Sequence, residues 1–439
     1  MTYYIESLGC AKNLVDTERF LGILQTYGFL EVDSPEGADL VLVNTCSFLA
    51  ASFAELELVL DDVFEGLNPR KKTKVVVTGC VMNRGLELFQ EIFPRVNKWI
   101  PLKDFDAFEK YILRYVLPKG MKARPVNLMH RAQLEDGQHV YLRIADGCEN
   151  NCTYCMIPSI RGKLISEPIE KLVEEATLLS PRGRELVLIA QDSCLYGTDL
   201  YGEKALPKLI EALHAIPGYD WIRIMYLHPD HFELQWTELW KKYPKLLPYF
   251  EIPIQHASDR ILQLMNRKKG YNELKALFDH IRKEIPAAVF RSTLMVAYPT
   301  ETQQDLDLID KFLQEVDILY AGVFGYSPEK EGPAYGEREG FDWDAVEKLE
   351  TEYSMKTESA REEKMQRFVG TVQQVLLEGY DEDMKSYYGR LWFQAPEIDG
   401  IAYVDGLPPD SPILVDVEVV DVLADELSCI AITAEKTEG

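Results

Sequence analysis

The 439-residue chain has no apolar run long enough to span a bilayer. Its first residues, Met1-Thr-Tyr-Tyr-Ile-Glu, lack the basic start of a secretory signal. The two absences together make a cytoplasmic protein with no membrane partner the expectation. Basic charge is scarce as well: 47 Lys and Arg stand against 72 Asp and Glu, a net charge of −25. Affinity for nucleic acid rests on lysine and arginine contacts to phosphate, so a field of this sign argues against direct RNA binding and favours a basic protein partner. Cysteine is limited to eight residues, and in a reducing compartment these point to metal or catalysis over disulfides. No pair of titratable residues stands out as an acid–base couple. Apolar material, by contrast, is ample, with 46% hydrophobic and 11% aromatic residues. That excludes disorder, and the length calls for two or three domains.

The stretch Asp146-Gly-Cys148-Glu-Asn-Asn-Cys152-Thr-Tyr-Cys155 places three cysteines just after an apolar run, 140–145, that reads as a buried strand. Three thiolates are one short of the set that completes a 4Fe-4S cube or a structural zinc site. A cube held by three protein ligands leaves one iron open to bind something else, which suits a reaction centre better than an electron store. The alternatives are a zinc site with a fourth ligand from elsewhere and buried thiols acting as small hydrophobes.

The first third repeats one device. Apolar runs end at Cys10, Cys46 and Cys80, and each is followed by a potential helix, at 13–27, 50–65 and 83–93. Alternating strands and helices imply an open parallel sheet with right-handed crossovers, whose strands all end on one edge. Cys10, Cys46 and Cys80 should therefore converge as a second three-cysteine cluster site; three unrelated buried cysteines are the alternative. Gly9 and Gly79 suit close approach of backbone to such a group. Asn13 and Asn44 are either supporting groups or helix caps and turn formers.

Further strand candidates recur at 186–190, 222–227, 250–254, 290–297 and 321–326. With 140–145 they make six, consistent with a partial (βα)6 barrel whose chemistry lies at the carboxyl ends of its strands. Gln191, Asp192, His228, Asp230, Gln255 and His256 stand at those ends. In Tyr226-Leu-His-Pro-Asp-His231 the options are substrate-facing loop residues, a metal, or a turn capped by Asp230. Cys194 reads as a spectator thiol. The segment 343–368, charged and nearly free of glycine and proline, reads as a long exposed helix. From Val369 short β runs separated by Pro-Asp, Asp-Gly and Pro-Pro turns predict a small antiparallel barrel. That part holds fifteen Asp and Glu against Lys385, Arg390 and Lys436, a net of −12, which again favours a basic partner.

The Cys148/Cys152/Cys155 spacing resembles the radical S-adenosylmethionine (SAM) superfamily, and Tyr154 stands where that family usually has an aromatic. With both cysteine sets placed, the chain looks like a methylthiotransferase over essentially its full length. The matching stretches include Ser7-Leu-Gly-Cys-Ala-Lys-Asn13, Asn44-Thr-Cys-Ser-Phe48, Ala190-Gln-Asp192, Met225-Tyr-Leu-His-Pro-Asp-His-Phe232, Ile252-Pro-Ile-Gln-His-Ala-Ser258 and Ala395-Pro-Glu-Ile-Asp-Gly400. The resemblance implies four parts: a cluster domain with its linker over 1–135, a radical SAM core over 136–340, a connecting helix over 341–368, and a C-terminal TRAM barrel over 369–439. It implies two 4Fe-4S clusters, one on Cys10, Cys46 and Cys80 carrying sulfur, the other on Cys148, Cys152 and Cys155 cleaving SAM. Gln191, Gln255 and Tyr154 are the expected SAM contacts; the amides have loop orientation as their alternative role.

The Tyr-Leu-His-Pro-Asp-His stretch points within the family to the branch that modifies the β-carbon of an aspartate in small-subunit ribosomal protein number twelve, over the transfer-RNA branch. A low-potential electron donor such as flavodoxin or ferredoxin is implied as a second partner. A non-catalytic iron–sulfur carrier is the rival from another class. One departure stands out. Where the family commonly has Gly-Phe-Pro-Gly-Glu-Thr, this chain has Ala297-Tyr-Pro-Thr-Glu-Thr302, which puts in doubt any SAM contact that needs bare backbone there.

Overall fold

The computed structural model describes residues 1–134, 137–329, 342–408, 411–424 and 426–432. Lys436, the expected 340/341 boundary and the last seven residues lie outside them. No helix of the described residues is long and apolar enough to cross a membrane.

The N-terminal part is a five-stranded, all-parallel sheet in the order Leu30–Glu31, Thr2–Ser7, Leu40–Thr45, Lys74–Gly79, Lys98–Trp99. The central strand, Leu-Val-Leu-Val-Asn-Thr, is buried throughout because helices cover both faces. Its side chains alternate: Leu40 and Leu42 join Phe20 and Leu24 of the helix Ala11–Thr26, while Val41 and Val43 join Leu56 and Leu60 of the helix Ala50–Gly66. The two-residue edge strands are too short to carry a periodic signal, and the sequence does not reveal them.

Six parallel strands follow. His139–Arg143, Glu185–Ile189 and Trp221–Ile224 form one sheet, and Tyr249–Glu251, Val289–Val296 and Tyr320–Gly325 another. A parallel bridge between Ile222 and Leu246 joins them into one arc. Leu186 and Leu188 face the surrounding helices, whereas Val187 and Ile189 face inward. Ladder pairing stops short of the apolar runs expected from sequence, because the chain leaves the sheet at residues in left-handed conformation. Tyr226 (φ 61°), Gln255 (φ 69°) and Ala297 (φ 57°) follow three successive strands in this way.

The helix Trp343–Met365 is not simply solvated, as expected. It buries Val346, Tyr353, Thr357 and Met365, and the Tyr353 hydroxyl reaches the Leu306 carbonyl at 3.3 Å. The charged pattern hides this face because its apolar residues are few and widely spaced. The C-terminal part is a closed five-stranded barrel in the order Val372–Asp381, Ser386–Leu391, Ala402–Asp405, Glu426–Ala431, Leu414–Leu423. The pairing of Ala402–Asp405 with Glu426–Ala431 is parallel and the others are antiparallel. The strand Glu426–Ala431 is one that the sequence pattern does not announce.

This small barrel plugs the amino-terminal end of the large one. Arg223, fully buried, donates to the carbonyls of Trp392 (3.0 Å) and Gln394 (3.1 Å). Arg390 bridges Glu185 at 2.7 Å and Glu378 at 2.8 Å. Asp399 accepts from the Tyr249 hydroxyl at 2.6 Å and pairs with Arg291. Ala395-Pro-Glu-Ile-Asp-Gly400 is thus a docking loop. Several of its domain's charges serve the internal interface, and the cysteine loops lie at the opposite, carboxyl-terminal mouth of the large barrel.

Candidate active site

Cys10, Cys46 and Cys80 stand at the carboxyl ends of three neighbouring parallel strands, as the topology required. Cys10 is the cap residue of the helix Ala11–Thr26, and its carbonyl accepts from the Asn13 amide at 2.7 Å. Gly9 has a φ of 96°, and a Cβ there would lie 3.0 Å from the Cys46 Cβ and 3.3 Å from its Sγ. Asn13 ties the strand ends together: its Nδ2 donates to the carbonyls of Leu8 (2.8 Å) and Thr45 (2.9 Å), and its Oδ1 lies 3.6 Å from the Cys80 Sγ. Asn44 donates to the Asn13 carbonyl and the Thr17 hydroxyl at 2.9 and 2.8 Å. Neither asparagine caps a helix; both lock loops around the thiols.

Cys148, Cys152 and Cys155 lie on one loop under the barrel mouth. Gly147 (φ 78°) lets the chain turn where a Cβ would sit 2.0 Å from the Lys163 carbonyl oxygen. The Cys148 amide donates to the Gly162 carbonyl at 3.0 Å and the Cys155 amide to that of Cys152 at 3.0 Å. Burial pushes the Cys148 thiol up to about 11 and the Cys155 thiol up to about 12. In the other triad burial raises Cys80 to about 11 despite Arg161. At Cys10 the surrounding protein disfavours the thiolate, but Lys12 and Arg161 outweigh it and hold the thiol below its ordinary value.

Among the described residues, neither triad brings its three sulfurs mutually within 4.8 Å. A tetrahedral zinc site, with Zn–S of about 2.3 Å, needs thiolates about 3.8 Å apart. All-thiolate donors held wider than one zinc allows suit the larger iron–sulfur cube.

One guanidinium joins the two loops. Arg161, on the turn of helix Ile157–Arg161 after Cys155, contacts both Asp146 carboxylate oxygens at 3.2 Å and the Asp16 carboxylate at 3.4 Å. Its Nη2 donates to Asn13 Oδ1 and lies 3.7 Å from the Cys80 Sγ. Cys80 also packs on Met156 and Ile160 of the second loop. Burial opposes ionisation of Asp146, but Arg161, Arg143 and Lys103 hold it well below the usual carboxylate range. Sequence reasoning misses Arg161, because nothing in its local pattern says that a residue six after Cys155 reaches a cysteine of another sheet.

Gln191 donates to Asp146 Oδ1 at 2.9 Å, and its buried Oε1 has no partner among the described residues. A free buried acceptor fits an ammonium or hydroxyl of a ligand such as SAM. Tyr154 accepts from Arg267 at 2.6 Å. Gln255 is held by its backbone, its amide donating to Thr293 at 2.8 Å and its carbonyl accepting from Met295 at 2.6 Å. Asp192, His228 and His231 cluster, with His231 Nδ1 2.7 Å from Asp192 and all three ligand atoms within 4.8 Å of one another. A metal is poorly served there: His228 Nδ1 accepts the Asp230 amide at 3.2 Å, which leaves the proton on the buried, unpartnered Nε2. Asp230 does cap a turn, through the amides of Lys268 (3.0 Å) and Lys269 (2.9 Å). Ala297 and Thr300 (φ 69°) keep a left-handed backbone without glycine, so the doubt attached to these departures does not extend to the shape of the loop.

The fold and the facing triads define the class, a radical SAM enzyme. The model of the radical SAM superfamily matches residues 142–313, that of uncharacterized protein family UPF0004 residues 2–101, and that of the TRAM domain residues 369–432. Among solved structures, the chain is similar to the radical SAM methyltransferase TsrM from Kitasatospora setae, at a TM-score of 0.55 and 13% identity over 76% of this chain and 73% of that one. It also resembles the cobalamin-dependent radical enzyme OxsB, at a TM-score of 0.51 and 11% identity over 79% of this chain and 56% of that one. At these identities only the fold is shared.

Sequence relatives go further. The ribosomal protein uS12 methylthiotransferase RimO of Thermotoga sp. (strain RQ2) is 34% identical over 92% of this chain and 93% of its own. That of Aquifex aeolicus is 35% identical over 91% and 90%, and that of Clostridioides difficile 35% over 91% and 91%. The chain belongs to the RimO family of methylthiotransferases.

Proposed function

We propose that this enzyme adds a methylthio group to the β-carbon of an aspartate in ribosomal protein uS12, working in the cytoplasm where that substrate resides. The observation that carries the reading is the pair of three-cysteine sites meeting at Arg161, beside the open mouth of the barrel. Cys148, Cys152 and Cys155 would hold a 4Fe-4S cluster that would supply the electron for SAM cleavage, and Cys10, Cys46 and Cys80 would hold one that would supply the sulfur. The chain's own work is positional. Gln191 offers its free Oε1 to SAM, with Tyr154 and Gln255 as further contacts. Asn13, Asn44 and Arg161 fix the cysteine loops, and the small barrel closes the far end against water.

A basic substrate suits the charge. Asp416, Glu418 and Asp421 are exposed along the strand Leu414–Leu423. Asp381, by contrast, caps its hairpin by accepting from the amides of Asp383 and Met384 at 2.9 Å. The same field disfavours RNA, and reduction falls to an external flavodoxin- or ferredoxin-type donor. The test is turnover by the anaerobically reconstituted protein, with uS12 and transfer RNA as alternative substrates. Gain of a methylthio group on the uS12 aspartate is expected; modification of transfer RNA with uS12 untouched would overturn the reading.

A further inference from the structure

The buried cations of this molecule are, with few exceptions, paired to carboxylates. Arg19 meets Glu175 at 3.1 Å, Arg223 meets Glu185 at 2.6 Å, and Arg143 and Arg161 share Asp16. Lys12 departs from this. It is 6% exposed, and no carboxylate of the described residues lies within 4.0 Å of its ammonium. Its Nζ donates to the Ala190 carbonyl at 3.3 Å and sits 3.6 Å over the Tyr226 ring. A buried ammonium whose close contacts are a carbonyl and an aromatic ring, with no carboxylate paired to it, is suited to receive one.

Its direction says which anion. Lys12 is two residues after Cys10 and its charge acts on that thiol, but its Nζ contacts lie on the barrel, at the Ala190 carbonyl and the Tyr226 ring. Arg161 is the residue that lies 3.7 Å from the Cys80 Sγ. Ala190 precedes Gln191 at the end of one barrel strand, and Tyr226 follows the next. The ammonium is thus held at the barrel mouth, between the cysteine loop that follows Gly9 and the expected SAM contact. If an aspartate is the substrate, as proposed above, its β-carbon must come to this gap, and its carboxylate is bonded directly to that carbon.

We infer that Lys12 receives the side-chain carboxylate of the substrate aspartate and makes the enzyme select aspartate over asparagine. The inference rests on the uS12 reading. The experiment measures binding of two uS12 peptides, one with the target aspartate and one with asparagine in its place, to the iron-loaded full-length protein. Wild type is expected to prefer the aspartate peptide by about 10- to 100-fold, the scale of a charge-assisted hydrogen bond. Lys12→Met is expected to erase that ratio and Lys12→Arg to keep part of it. General damage would weaken both peptides alike and leave the ratio unchanged.

An unchanged ratio in Lys12→Met overturns the inference, including the case where that variant instead moves the midpoint potential of the N-terminal cluster. Should Lys12→Met not load iron, the ratio is read from Lys12→Gln, where its loss supports the inference and its persistence overturns it. Wild type that binds both peptides equally removes the role of Lys12 alone, whereas wild type that binds neither removes the uS12 reading itself.

Discussion

The two cysteine triads use the same three donors but are built in opposite ways. Cys148, Cys152 and Cys155 sit on a single loop, so their spacing is written locally and held by hydrogen bonds to Gly162 and Met265. Cys10, Cys46 and Cys80 are brought together by a parallel sheet, so no triad exists until that sheet has formed. Their surroundings differ as well. Lys12 and Arg161 outweigh burial and lower the Cys10 thiol, whereas burial raises its triad partner Cys80 as it raises Cys148 and Cys155. A site assembled by topology depends on distant packing, and a site written in a loop depends on its own turns.

The largest effect should come from the loop site. Replacing Cys148, Cys152 and Cys155 by alanine is expected to abolish SAM cleavage and all turnover, and to lower the iron content by about half. Retention of the full iron content in that variant would break the comparison. The glycines sharpen it. A Cβ at Gly79 (φ 101°) would lie 2.4 Å from the Thr45 amide nitrogen, and one at Gly147 would lie 2.0 Å from the Lys163 carbonyl oxygen. Each alanine variant should cost roughly 2 kcal/mol or more of stability. Gly79→Ala should lose the N-terminal cluster signal and keep SAM cleavage, and Gly147→Ala the reverse, as read by iron-specific spectroscopy and 5′-deoxyadenosine yield.

The same contrast explains what was legible in the sequence. The loop triad is visible in a string of eight residues. The strand-tip triad was legible because three apolar runs each ended at cysteine, and parallel topology brings strand ends together. What links them was not legible. Arg161, Asp146 and the pair Lys12 and Asp16 of helix Ala11–Thr26 come from three separate elements, and their meeting depends on the placement of the sheet against the barrel. The two-residue edge strands and the buried stripe of helix Trp343–Met365 escape detection because neither offers periodic signal enough.

The smallest expected effect concerns the strand-end turns. Ala297 keeps a φ of 57° without being glycine, at a cost on the order of 1 kcal/mol. Ala297→Gly should therefore raise stability by about that amount in chemical denaturation, with SAM cleavage retained. A loss of stability would mean that the alanine methyl contributes packing that outweighs the backbone strain.

The central claim is that the two triads divide the labour, and one variant tests it most directly. With Cys10, Cys46 and Cys80 replaced by alanine, the account predicts that the reconstituted protein still cleaves SAM to 5′-deoxyadenosine while methylthiolation of uS12 stops. Methylthiolated product from that variant would contradict it, because the sulfur would then have to come from somewhere other than the strand-tip site.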